Sequence, residues 1–182
     1  MTVFTIGHGT RDIDAFLSLL RGAGVRRLVD VRTAPGSRKH PQFGRDALEA
    51  TLAGVGIGYA WEGEALGGWR RAHSDSRHTS LRSSGFRGYA GHMETETFGA
   101  ARQRLIDGSA RLPTTVMCAE SLWWRCHRRL LADALVAAGC DVRHIMDGPR
   151  LEPHRLSPQA RIENGLPVYD VPGDDSGQRR IV

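Results

Sequence analysis

Apolar positions along the chain alternate between two spacings, and the alternation outlines strands separated by helices. Val3 to Ile6 is a short β-type run that ends at Gly7-His8-Gly9-Thr10. Ile13, Phe16, Leu17 and Leu20 follow at i, i+3, i+4 and i+7, one face of a helix. Thr10 or Asp12 is placed to cap its start, and Gly22 and Gly24 to stop it. Leu28 to Arg32 reads as a second strand, with Asp30 and Arg32 on the same face. After a loop from Thr33 to Gly44, Leu48, Thr51, Leu52 and Val55 mark a second helix, and Ile57 to Trp61 a third strand. Glu62 to Gly88 has no period and reads as a long polar loop, followed by an aromatic, Gly-rich stretch from Phe86 to His92. A helix from about Thr95 presents Phe98, Ala101, Leu105 and Ile106 and ends at Gly108. Thr114 to Met117 is a fourth strand. The helix after Cys126 buries Leu130, Leu131, Ala134, Leu135 and Ala138, and Val142 to Ile145 is a fifth strand.

Strands alternating with helices predict an α/β fold: a single domain with a mostly parallel sheet of about five strands and helices on both faces. Residues 1–150 make up that domain. Residues 151–182 are rich in Pro and Gly without a periodic run, which predicts a C-terminal tail packed on the domain or on a partner subunit and frayed at its end.

Composition changes this picture little. With 182 residues, 40% hydrophobic and 25% charged, the chain suits one globular domain. No apolar run approaches the roughly 20 residues of a membrane span, and the first residues lack a signal-peptide pattern. Three cysteines form no disulfide framework, so a reduced, cytoplasmic setting is expected. The net charge of +5 rests almost wholly on arginine, whose fork fits phosphate and carboxylate. An Arg-rich proteome explains the same bias equally well, and basic charge alone does not establish nucleic-acid binding.

The motifs Thr5-Ile6-Gly7-His8-Gly9-Thr10, Val29-Asp30-Val31-Arg32 with Pro35-Gly36-Ser37-Arg38, Pro41-Gln42-Phe43, Gly88-Tyr89-Ala90, Met117-Cys118-Ala119-Glu120, Cys126-His127-Arg128 and His144-Ile145 occur in this order. In that joint occurrence, over roughly residues 3 to 160, the chain resembles the DUF488 family, a domain of unknown function. The resemblance implies a small cytosolic bacterial or archaeal α/β protein and no particular activity. The first motif departs from the family's usual Thr-Ile-Gly-His-Ser, because Gly9 stands in place of the serine.

His8, Asp30, Arg32, Cys118 and Glu120 all follow the carboxyl ends of strands, where open α/β sheets bind ligands. Cys126, His127 and Arg128 open a helix, a position that lowers a thiol pKa. Cys126 or Cys118 is therefore the candidate nucleophile, and Glu120, His8 or His127 the candidate proton carrier, with Asp30 orienting a histidine. Arg32, Arg38 and Arg128 are the candidate anion grip. Trp123, Trp124, Phe43 and Tyr89, read as loop residues, are candidates to stack a base; a hydrophobic lid or a homodimer contact explains them as well. A zinc site on Cys118, Cys126 and His127 is disfavoured, because Cys-x7-Cys is not a finger spacing and adjacent helical residues point about 100° apart. Cys118 to Arg125 also resembles the anion cradle of tyrosine phosphatases and rhodaneses. It has six intervening residues instead of five, and bulky Leu122, Trp123 and Trp124 where small residues would expose backbone N–H groups.

Two functions follow. One is an enzyme acting on a phosphate-bearing or other anionic ligand, such as a nucleotide or nucleic acid, in a cleft at the strand ends. The other is a non-catalytic nucleotide or nucleic-acid binding module. The sequence designates no cofactor.

Overall fold

The computed structural model describes residues 1–36, 38–148 and 150–172. Five strands, β1 (Thr2–Gly7), β2 (Arg27–Asp30), β3 (Gly58–Trp61), β4 (Thr114–Cys118) and β5 (Asp141–Ile145), run parallel. A sixth, β6 (Leu151–Pro153), pairs antiparallel with β5, and the order across the sheet is β3-β2-β4-β1-β5-β6. The architecture is the expected one, with one strand more than the periodicity predicts.

Helices cover both faces. α1 (Ile13–Gly22) and α2 (Arg45–Gly54) bury Phe16, Leu20, Leu48 and Leu52 against Ile6, Leu28 and Met117. On the other face α3 (Gly63–Leu66), α4 (Ser84–His92), α5 (Glu96–Arg111) and α6 (Arg128–Ala137) pack on Val3, Val29, Val116 and Val142. The alternation of Val3 and Ile6, or of Val116 and Met117, between the two cores is the period of a strand buried on both faces. Asp12, not Thr10, caps α1, its carboxylate accepting from the Ala15 amide at 2.7 Å.

Several local expectations change. Phe86 to His92 is helical, inside α4, which the Ser83 side chain caps by accepting from the Phe86 amide. α5 runs three residues beyond Gly108 to Arg111, with the Leu112 amide bonded back to the Gly108 carbonyl. Ala138 is exposed because it lies just past the end of α6.

Beyond residue 150 the chain is more structured than its composition suggests. After β6, β7 (Ala160–Glu163) and β8 (Leu166–Tyr169) form a hairpin. Its two-residue turn is Asn164-Gly165, both at positive φ, as a hairpin turn with the right twist requires. The expected frayed end, residues 173–182, lies outside the described residues.

This segment is tied to the domain by a buried polar chain. The Asp133 carboxylate on α6 accepts bonds from the Ser157 amide (2.8 Å) and hydroxyl (2.7 Å), the Tyr169 hydroxyl (2.9 Å) and His154 Nε2 (3.0 Å). In the tautomer that gives Nε2–H to Asp133, His154 Nδ1 accepts from His144 Nε2 at 3.0 Å. His144 Nδ1 then accepts from the Thr5 hydroxyl at 2.7 Å, and Thr5 accepts from Arg128 Nη1 at 3.4 Å. In this arrangement each donor points one way, from Arg128 to Asp133. Burial, then the neighbouring His154 and Arg128, push the His144 pKa down to about 3.

Two stability predictions follow from this chain. Asp133→Ala leaves four buried donors unpaired and is expected to lower the unfolding free energy by about 3–5 kcal/mol, read by urea denaturation. His144 stays neutral when folded but takes a proton near pH 6.5 when unfolded. Its contribution is therefore complete above about pH 6.5 and declines as pH falls towards 3, by about 1.4 kcal/mol per pH unit. Urea titrations at pH 7, 6 and 5 should show a shallower fall for His144→Gln than for the native chain; equal slopes would remove His144 as the source.

Candidate functional site

The chain turns about the sheet's centre in a way that opens a crevice. From β2 it crosses to α2 on one face, while from β4, the next strand, it crosses to α6 on the other. Neighbouring strands whose connections diverge leave a gap at their carboxyl ends, the usual place for a ligand in such sheets. Here that gap is a cavity of about 330 Å³, lined by Arg32 to Ala34 after β2, Cys118 to Glu120 after β4, and Arg125 to His127 before α6. Gly68, Trp69 and the first residues of α4 complete the wall.

Two thiols lie at its base. Cys118 ends β4, where the His8 amide donates to its carbonyl at 3.0 Å. Cys126 precedes α6, and a 3-10 turn at Trp123–Arg125 folds the intervening loop back so that the two Sγ atoms stand 2.8 Å apart. His127 Nδ1 lies 3.4 Å from Cys126 Sγ, and the Arg128 amide donates to the same sulfur at 3.5 Å. Burial alone pushes the Cys126 thiol up. The Cys118 hydrogen bond, the His127 ring and the Arg128 guanidinium together outweigh it and hold Cys126 well below the ordinary thiol range. Burial, reinforced by Cys126 itself, holds Cys118 well above that range. The pair thus reads as a Cys118 thiol donating to a Cys126 thiolate.

Arg128 organises the loop instead of facing a ligand. It is fully buried, and its Nη2 donates to the carbonyls of Glu120 and Ser121. Arg32 does line the cavity. Asp30 holds it through Nε (2.9 Å) and Nη2 (2.6 Å), while the Tyr59 hydroxyl donates to Asp30 at 2.8 Å. Asp30 therefore orients an arginine and not a histidine. Arg38 is exposed on the loop after β2, away from the cavity lining.

His8 sits behind Arg32. Its Nδ1–H donates to the Gly9 carbonyl at 2.9 Å, which leaves Nε2 as an acceptor facing Arg32 Nη1 at 3.4 Å. The ring stacks on Phe43, centroids 4.3 Å apart. Burial, opposed in part by the Gly9 bond and aided by Arg32, pushes its pKa down to about 4, so it is neutral at physiological pH. Glu120 is exposed on the cavity rim. Gly9, the departure from the usual motif, has φ +55°, and the Ser121 hydroxyl fills the space its side chain would take. A hydroxyl thus stands at this point even though position 9 lacks one.

The aromatic candidates separate. Tyr89 is buried in α4 and donates to the Leu66 carbonyl, and Phe43 is buried between His8 and Phe16. Trp123 stacks on His144 at 4.1 Å, and Trp124 is exposed outside the cavity lining. The aromatic that sequence reasoning missed is Trp69, 77% exposed at the cavity's edge. Its only sequence signal is a lone Trp after Gly67-Gly68 in an irregular loop.

Among the described residues no helix is long and apolar enough to cross a membrane, and no group of three His, Cys, Asp or Glu is arranged to hold a metal ion. No curated protein and no solved structure matches the chain. The model of the family described as "Domain of unknown function DUF488" matches residues 12–135, more than half of the chain, and the chain therefore belongs to the DUF488 family.

Proposed function

We propose that the protein is a thiol-dependent enzyme that acts on a small anionic ligand in the cavity between β2 and β4. The observation that carries this reading is the contact of Cys126 with Cys118, His127 and the Arg128 amide at the cavity base. A buried thiolate held by three donors is a nucleophile prepared in advance. Cys126 attacks the ligand's electrophilic atom, Cys118 and His127 hold its charge before attack, and Glu120 at the rim exchanges protons with solvent.

The anionic class rests on charge. Arg32 and Arg125 line the cavity, and the capped start of α4 faces it through Ser83, Gly85 and Phe86. Phe86 and Trp69 add an apolar wall for the rest of the ligand. A volume of about 330 Å³ suits a small molecule better than a nucleic-acid strand, which would need an extended basic track.

The test is the pH dependence of iodoacetamide labelling, read peptide by peptide on the native chain. Cys126 is expected to label at pH values where an ordinary thiol, of pKa about 8.5, is protonated, while Cys118 and Cys140 stay slow. Cys118→Ala should move the Cys126 profile to higher pH and slow labelling at neutral pH about tenfold, because one hydrogen bond to the thiolate is lost. Inorganic phosphate or a nucleotide should protect Cys126, and Arg32→Gln should weaken that protection about tenfold or more. A Cys126 that titrates like an ordinary thiol would overturn the proposal.

A further inference from the structure

We infer that Cys118 and Cys126 work as a dithiol–disulfide couple that exchanges with a small carboxylate-bearing disulfide. This rests on the reading above and deepens it by naming its reaction and substrate class; what it adds is the proximity of the second sulfur.

A nucleophilic cysteine used for acyl or phosphoryl transfer needs no partner sulfur. Here Cys118 Sγ stands 2.8 Å from Cys126 Sγ, and both residues line the same cavity. A disulfide requires about 2.05 Å between sulfurs, so closure asks for less than about 1 Å of movement. Cys118 is the last residue of the β4 ladder, and Cys126 directly follows a short 3-10 turn before α6, so the loop side can supply that movement without disturbing the sheet. The third cysteine, Cys140, lies past the end of α6 and does not line the cavity.

The chemistry balances within this pair. The Cys126 thiolate attacks one sulfur of R–S–S–R; a Cys126–S bond forms, the substrate S–S bond breaks, and RS⁻ leaves and takes a proton from solvent. Cys118 then attacks Cys126 Sγ. The Cys118–Cys126 bond forms, the mixed disulfide breaks, and the second RS⁻ leaves with the proton Cys118 gives up. Two electrons pass from the protein dithiol to the substrate disulfide, yielding two RSH; excess RSH drives the reverse. Attack through Cys126 first follows from the assignment of donor and acceptor, because Cys118 carries the proton. Arg32, Arg125 and the start of α4 select carboxylates on the substrate.

The experiment exposes the full, reduced chain to oxidised glutathione or, separately, to uncharged 2-hydroxyethyl disulfide at equal concentration. Alkylation under denaturing conditions and peptide mass spectrometry then read each cysteine. A Cys118–Cys126 disulfide with Cys140 alkylated is expected, forming about tenfold or more faster with glutathione disulfide. Cys118→Ser, a conservative change, should trap a glutathione adduct on Cys126. Equal rates for the two disulfides would overturn the substrate class. Persistence of both thiols, or an adduct on Cys118 or Cys140 instead of Cys126, would overturn the couple. Fast low-pH alkylation of Cys126 without disulfide formation would remove this inference and leave the nucleophile; disulfide formation with an ordinary Cys126 titration would do the reverse.

Discussion

A buried guanidinium ties the loop after β4 to the polar chain that anchors the segment beyond residue 150. Arg128 has no carboxylate partner among the described residues, and its Nε finds no partner there either. An isolated charge in such surroundings costs several kcal/mol, so something must offset it. The offset comes from three sides: the Glu120 and Ser121 carbonyls, the Thr5 hydroxyl, and the thiolate character of Cys126 beside it. Arg128 thereby shapes the loop after β4, adds to the stronger pull of Cys118 and His127 that lowers the Cys126 thiol pKa, and starts the hydrogen-bond chain that ends at Asp133.

The two ends of that chain differ in what they permit. At the Asp133 end every donor is satisfied and enclosed, with four bonds to one carboxylate, which suits a rigid anchor. At the thiol end the partners are softer and longer, with His127 Nε2 lacking any partner among the described residues. Order is thus concentrated beneath the site, and adaptability is left at its surface, where Trp69 and Glu120 meet solvent. Trp123 links the two by stacking on His144 from within the thiol loop.

The central elements were legible because their apolar spacing is set by the sheet and helix faces they bury. Val3, Val29, Val116 and Val142 are continuous short runs, and Phe16, Leu20, Leu48 and Leu52 keep helical spacing. The later hairpin was hidden differently. Its strands are four residues each, β7 largely exposed and β8 mostly buried with Pro167 inside it, yet Asn164-Gly165 between two β-type runs was a turn signal in plain sight. At the site, strand ends and a helix start gave Cys118, Cys126 and Arg32 a shared address. Spacing could not show that the loop folds back to bring two sulfurs into contact, nor that Arg128 turns inward while Arg125 lines the cavity. Those outcomes depend on carbonyl positions in a loop with no period. Tyr89 misled for a related reason: glycines at 85, 88 and 91 disguise α4, so a buried helical tyrosine looked like a loop aromatic.

The family match spans residues 12–135, but the folding unit cannot be that span. β1 lies between β4 and β5 in the sheet, and β5 bonds to β1 along four residue pairs. Removing β1 would strip one edge of β4, the strand that carries Cys118, and would take away Thr5, the link between Arg128 and His144. Removing the segment after residue 135 would expose Asp133 and leave its charge unpaired. The residues that surround the two thiols therefore lie inside the matched span, while the residues that hold Arg128 and Asp133 in place lie partly outside it. The loop that holds the two thiols depends on those supports, because the buried Arg128 guanidinium is compensated by the Glu120 and Ser121 carbonyls and the Thr5 hydroxyl around it.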